Sequence, residues 1–217
     1  MLLVREKSKI QVKKSHYNSD YDQLPRWESY FVQIKLILET NPKYLLELGI
    51  GNGLVSSYLK NMGINVTSCD FDKKLNPDVV SDIRNLPFKE NSFDCIAAYE
   101  ILEHIPYESF DKILKDLKKI SKKYLIISLP SPGFYFRTNI RFNGLKRMLS
   151  RETLSFGFNI PPFFKNKKFD GEHYWEIGWK NYPFRKIKKT ISKYFIIRKK
   201  IKNPLAPLHT FFLLEIK

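Results

Sequence analysis

Among its 217 residues this chain has only two cysteines and no run of about eighteen apolar residues. The second absence leaves no segment that reads as a membrane-spanning helix. Met1-Leu2-Leu3-Val4 gives way at once to Arg5-Glu6-Lys7, so the apolar stretch of a signal peptide is missing as well, and a cytoplasmic chain is expected. Cys69 and Cys95 sit inside apolar, strand-like runs, with no second cysteine or histidine at metal-ligand spacing. They read as core thiols; neither a disulfide nor a metal site is expected from this pattern. Internal repeats and low-complexity tracts are lacking too, so one domain is the expectation for this length.

Acidic residues are scarce in one part of the chain only. Residues 41–130 hold 12 Lys+Arg against 12 Asp+Glu, whereas residues 131–217 hold 19 against 5, a local excess of +14 within a net charge of +16. The basicity therefore belongs to the C-terminal part. Most of it is lysine and not the forked arginine that grips phosphate in a bidentate way, so a solvated surface accounts for much of it without a ligand. Nucleic acid is a weighed but not favoured partner on this asymmetry.

From Tyr44 to Leu129 short apolar runs alternate with amphipathic stretches, the pattern of βαβ units and a mainly parallel sheet. Strands are expected at Tyr44 to Leu48, Asn65 to Cys69, Asp78 to Ser81, Phe93 to Ala98 and Tyr124 to Leu129, with helices from Leu54 to Met62 and from about Ser109 to Ser121. Between Ser131 and Trp179 the alternation fails in a stretch rich in proline, glycine, phenylalanine and basic residues, with one short helix expected near Leu145 to Ser150. A connection that long in a compact domain is usually functional. A helix from Phe184 to Lys193, a strand Phe195 to Ile201, a turn Asn203 to Pro207 and a last strand Thr210 to Ile216 complete the reading, the last two strands forming an antiparallel pair.

The first strand runs into Gly49-x-Gly51-x-Gly53 and then a helix, the order a ligand-cradling loop needs. Leu54 stands where a dinucleotide fingerprint would place its third glycine, which argues against a nicotinamide cofactor. Asp70 ends the second strand, where a carboxylate can accept from two ribose hydroxyls, and Asp82 follows the third, with Phe71 and Ile83 offering apolar faces to a ring. The bland alternative is a surface turn residue for Asp70 and a plain loop carboxylate for Asp82.

The segments LLELGIGNG, SCDFD, SDIRNLPFKENSFDCI and YEILEHI, in this order over about ninety residues, resemble class I S-adenosylmethionine-dependent methyltransferases in the style of the ubiquinone-biosynthesis enzymes. The resemblance implies a Rossmann-like α/β fold: a seven-stranded, mainly parallel sheet with an antiparallel last strand, helices on both faces, and a substrate lid after the fifth strand. It divides the chain into an N-terminal helical cap (1–40), a cofactor-binding half (41–130), a lid and substrate insert (131–179) and a C-terminal helix with the antiparallel pair (180–217). It implies S-adenosylmethionine as cofactor, held by Glu47, Gly49, Gly51, Asn52 and Gly53 at the methionine end, Asp70 at the ribose, Phe71, Asp82 and Ile83 at the adenine, and Tyr99 with Glu100 near the sulfonium.

A sulfonium methyl is already activated, so transfer asks mainly for positioning; a base is needed only for a protonated acceptor. His104 and His173 are the candidates for it, with Trp175 and Glu176 as acceptor contacts in the insert. The expected reaction is methylation of an oxygen or nitrogen on a small molecule or saccharide. RNA methylation and a non-catalytic cofactor-binding scaffold are the alternatives. The fourth strand ends in Ala98-Tyr99-Glu100 and not in the Asn/Asp-Pro-Pro-aromatic turn of base-amino methyltransferases, and Cys95 lies within a strand and not in a Pro-Cys loop, so both nucleobase mechanisms are disfavoured. The insert interleaves aromatics with cations, a composition shared by lids, stacking platforms and membrane-surface contacts. No obligate protein partner is expected.

Overall fold

The computed structural model describes residues 14–17, 20–141, 153–202 and 207–217. Its frame is a seven-stranded sheet built from β1 (Tyr44–Leu48), β2 (Asn65–Asp70), β3 (Val79–Val80), β4 (Phe93–Tyr99), β5 (Ser121–Pro130), β8 (Phe195–Lys202) and β9 (His209–Ile216), in the order β3-β2-β1-β4-β5-β9-β8. β1 pairs in parallel with β2 on one side and β4 on the other, β2 with β3 and β4 with β5, while β9 runs antiparallel to both β5 and β8. The chain order reverses at β1, and the crevice beyond the C-terminal ends of β1 and β4 is where open sheets of this kind bind ligands.

The period-2 alternation of each strand distributes its side chains to two cores. Leu46 and Leu48, Ile96 and Ala98, Leu125 and Ile127, and Phe212 and Leu214 face one side. There they meet Phe110, Ile113, Leu114, Leu117 and Ile120 of α3 (Phe110–Ile120) and Ile187 and Ile191 of α4 (Phe184–Ile191). Leu45, Val66, Cys95, Ala97, Ile126, Phe211 and Leu213 face the other side, against α1 (Leu24–Thr40) and α2 (Leu54–Asn61). Helices thus cover both faces, as the α/β pattern predicts. Cys69 and Cys95 are buried and unpaired, and burial pushes their thiols up to about 11 and about 12.

The insert departs from expectation. It contains a β-hairpin, β6 (Phe134–Arg141) with β7 (Thr153–Ile160), paired antiparallel as a separate two-stranded sheet. Residues 145–150, where a helix is expected from sequence, lie outside the described residues, as does most of the 203–207 turn. β-Branched and aromatic residues recur at alternate positions of both strands, a signal masked in the sequence by the flanking glycines and prolines.

Candidate active site

The C-terminal ends of β1, β2 and β4 and the loop after β3 open onto one cavity of about 800 Å³, within the roughly 300–1,000 Å³ of small-molecule sites. Gly49, Gly51 and Gly53 leave β1 with φ of +74°, +56° and +73°, a region in which side chains are strained. A Cβ on Gly49 would also collide with Ile101, just after β4. The turn therefore lies down against the neighbouring loop and offers backbone to the cavity. Asn52 is fixed by its carbonyl, which accepts from Leu54 N (3.1 Å), and by its amide, which donates to Asp22 (3.1 Å) and the Tyr30 hydroxyl (2.8 Å).

Glu47, on the α1–α2 face of β1, accepts from the Ser56 hydroxyl of α2. Burial pushes its carboxyl up to about 7, against the opposing hydrogen bond from Ser56 and the charge of Lys60. It lines the cavity and also anchors the helix that follows the glycine turn.

Asp70 is buried and accepts from Ile50 N (3.1 Å) and Asp72 N (2.8 Å) on different oxygens. Burial raises its carboxyl above the ordinary value, with those two hydrogen bonds opposing. Each carboxylate oxygen accepts more than one bond, so capacity for hydroxyl donors remains. Asp72, also on the cavity wall, has a buried Oδ2 with no hydrogen-bond partner among the described residues. Two acidic groups with spare acceptor capacity at the end of β2 fit the diol of a ribose. Phe71 and Ile83 both line the cavity, Phe71 being well exposed to it. Asp82 lines it as well, but its carboxylate is held by the Arg84 guanidinium (Nη2 at 2.6 Å) and backbone N–H (2.8 Å). An adenine amino group would share those oxygens with Arg84.

At the end of β4 the Tyr99 hydroxyl donates to Gln33 O (3.3 Å), with burial holding its phenol well above the ordinary range. Glu100 follows with φ +50° and reaches His209 Nε2 at 3.2 Å. His104 closes this end: its Nδ1 is 3.0 Å from Glu172 O. A carbonyl only accepts, so that nitrogen carries the proton and the lone pair sits on Nε2. Burial, then neighbouring His173, lowers the His104 imidazole below its usual value.

His173 stands edge-on to His104, ring centroids 4.9 Å apart, and pairs through Nδ1 with Glu176 Oε1 at 2.7 Å. Burial disfavours its charge, but the hydrogen bond and charge of Glu176 outweigh that and raise its pKa. His173 lies behind the cavity wall and not on it. Two further sequence expectations need correcting. Trp175 is fully buried among Tyr107 and Phe110, its indole N–H donating to Ile105 O (3.0 Å), so it is a core anchor of the insert and not an acceptor wall. Glu176 is buried too and accepts from His173, Trp179 (2.8 Å) and Lys167 (3.2 Å); it orients His173 and does not reach the cavity. The residues of the insert that do line the cavity are Phe169, Gly171 and Tyr174. Gly53 sits at the helix start, just off the wall.

Sequence reasoning missed the opposite wall. Tyr17, Tyr21, Arg26, Tyr30 and Gln33, from the segment before α1 and α1 itself, line the cavity. Tyr17 and Tyr21 meet edge-to-face at 5.1 Å, Arg26 sits 4.3 Å over the Tyr21 ring, and burial pushes the Tyr17 phenol up to about 12. The available signal was the cluster of tyrosines spaced before a proline-started helix.

A glycine turn after β1, paired carboxylates after β2 and a cavity at the topological switch form a site suited to a nucleoside-containing ligand. Residues 46–127 match the methyltransferase domain family. The demethylmenaquinone methyltransferase of Thermotoga maritima is 26% identical over 51% of this chain and 58% of its own length, and an uncharacterized protein of Methanocaldococcus jannaschii is 28% identical over 46% and 49%. The chain thus spans about half the length of the curated relatives it matches. Among solved structures, a 1,6-didemethyltoxoflavin-N1-methyltransferase of Burkholderia thailandensis with S-adenosylhomocysteine superposes with a TM-score of 0.58, at 16% identity, covering 94% of this chain and 84% of that one. Magnesium protoporphyrin IX methyltransferase of Synechocystis PCC 6803 with the same ligand gives 0.60, at 14% identity, covering 92% and 88%. Residues 46–127 thus match a methyltransferase domain, and the chain has the seven-stranded fold of the solved methyltransferases it superposes on.

Proposed function

We propose that this protein transfers the methyl group of S-adenosylmethionine to an oxygen or nitrogen of a small-molecule acceptor. The observation that carries this reading is a single cavity with the glycine turn and Asp70–Asp72 on one side and the Tyr99–His104 loop with Tyr174 on the other. The first set suits the cofactor; the second leaves a pocket for an acceptor beside it. The cofactor supplies an electrophilic methyl carbon. The chain's own residues then have to orient the nucleophile, exclude water and, for a protonated acceptor, take up a proton. His104, with its lone pair on Nε2 and its ring on the cavity wall, is suited to that last task, and His173 backs it.

Three of the proteins named above carry acceptor names, demethylmenaquinone, 1,6-didemethyltoxoflavin and magnesium protoporphyrin IX, each a small molecule, which supports the same class here. No helix among the described residues is long and apolar enough to cross a membrane, and a cytoplasmic setting is part of the proposal. The segment 161–179, pinned by Tyr174 N to Glu103 O (2.9 Å) and Ile177 N to Pro130 O (2.9 Å), serves as the lid over the acceptor end.

The test is calorimetry with S-adenosylhomocysteine together with a labelled-methyl assay against separate pools of small metabolites, glycans, lipids and RNA. Micromolar binding and label in the small-molecule or glycan pool are expected. Absence of cofactor-product binding would overturn the reading, and label confined to RNA would replace the acceptor class.

A further inference from the structure

Glu103 is fully buried, and neither of its carboxylate oxygens has a hydrogen-bond partner among the described residues. A carboxylate so placed is costly: ionised it lacks a counter-charge, and neutral it has only the neighbouring Glu100 carboxylate to share its proton with. It is not isolated. Glu103, His104 and His173 each offer a ligand atom, and these lie within 4.8 Å of one another.

The surroundings of the two imidazoles are those of metal ligands. Each presents Nδ1 to an oxygen acceptor, His104 to the Glu172 carbonyl at 3.0 Å and His173 to the Glu176 carboxylate at 2.7 Å. Ligating histidines are typically fixed in this way, with the second nitrogen left to the ion and the ring orientation set by the outer partner. Glu176 is in turn held by Trp179 and Lys167. A second grouping nearby, Asp170 with His173 and Glu176, is different in kind: Lys167 pairs with both of its carboxylates, so its charge is already met.

We propose that Glu103, His104 and His173 form a site for a divalent transition metal at the acceptor end of the cavity. Two imidazoles and one carboxylate suit zinc, manganese, iron or cobalt rather than calcium or magnesium, and three protein ligands leave positions open for an exogenous oxygen. Glu100, whose unpartnered Oε1 is also buried and whose charge acts on both imidazoles, adds negative potential to the same spot. The sequence hides the set because His173 comes from the insert, far along the chain from Glu103-His104; the Tyr174 N to Glu103 O bond brings the two together. In its consequence for the acceptor the inference rests on the methyltransferase reading, with His104 Nε2 then committed to the ion in place of acting as a base. A hydroxyl bound at an open position loses its proton to water more readily, its lone pair forms the bond to the methyl carbon, and the electrons of the broken carbon–sulfur bond stay on sulfur.

The experiment uses the full chain and the metals alone: equilibrium dialysis against zinc with elemental analysis, and titration with cobalt followed by its visible absorption. One equivalent per chain is expected, with the intense bands of a four- or five-coordinate cobalt ion. Glu176→Gln should weaken zinc binding by about 10- to 100-fold, and His173→Ala by more. Both positions lie behind the cavity, so binding of S-adenosylhomocysteine, measured in parallel, should be unchanged and reports folding. Glu103→Gln tests the third ligand. Binding below one equivalent, or stoichiometric binding that survives His173→Ala, would overturn the site; a proton shared between Glu103 and Glu100 would then satisfy the buried carboxyl. Metal binding without any binding of S-adenosylhomocysteine would overturn the methyltransferase reading and leave the metal site standing.

Discussion

Single side chains in this site carry opposing demands. Glu47 must be buried to brace α2 under the glycine turn, and burial raises its carboxyl to about 7. Its folded pKa lies above the ordinary 4.5, so the native state holds a proton that the unfolded chain releases between about pH 4.5 and 7. The stabilisation is complete below the lower value and lost as pH rises through the upper one, by about 3 kcal/mol in all. In Glu47→Gln, which keeps the shape and cannot ionise, denaturant unfolding should show a smaller loss of stability between pH 5 and pH 7.5 than the native chain shows. Asp70 carries a different load: it orders the glycine turn through Ile50 N and keeps acceptor capacity facing the cavity. Asp70→Ala should weaken calorimetric binding of S-adenosylhomocysteine by about 1–3 kcal/mol. An affinity equal to that of the native chain would remove Asp70 from the ribose site.

At the scale of elements, what could be read from the sequence divides by the range of the signal. β1 to β5 and α3 follow from local alternation and helical spacing, and their observed ends fall within about three residues of those expected. The strand-end positions Asp70, Asp82 and Tyr99 follow from them, because parallel strands bring their C-terminal ends to one edge. Trp175 and Glu176 could not be placed in this way. An aromatic and a carboxylate in an irregular segment look the same whether they face a cavity or the core, and only the contacts with Ile105, His173 and Lys167 decide. The segment before α1 is the other blind spot. Its described residues add no strand to the sheet yet supply Tyr17 and Tyr21 to the cavity wall. Replacing both by alanine should therefore leave the thermal midpoint nearly unchanged while weakening S-adenosylhomocysteine by roughly 1–3 kcal/mol, the worth of two aromatic contacts. A large fall in the midpoint with unchanged affinity would make the segment a structural brace instead.

For the whole molecule, charge is the property that no single contact explains. The excess of +14 beyond residue 130 includes Arg198, Lys199, Lys200 and Lys202 on β8 and Lys186, Lys188 and Lys189 on α4. If these cations draw an anionic acceptor toward the cavity, acceptor affinity should fall steeply between low and physiological ionic strength. Binding of the cofactor product, for which the proposed contacts are Asp70 and the glycine-turn backbone, should change little, and a flat response for the acceptor would leave the charge without a role in binding. The position of β9 has a consequence for how the chain is made. Strands β1 to β5 can assemble as soon as they emerge during synthesis, but among the described residues β8 pairs only with β9, which is translated after it. In the interval β8 is an unpaired strand with hydrogen-bonding groups bare on both sides, the circumstance in which nascent chains stick to one another. Its run of cations supplies repulsion over that interval, so the Lys-rich face of β8 protects the newborn chain as well as the finished edge.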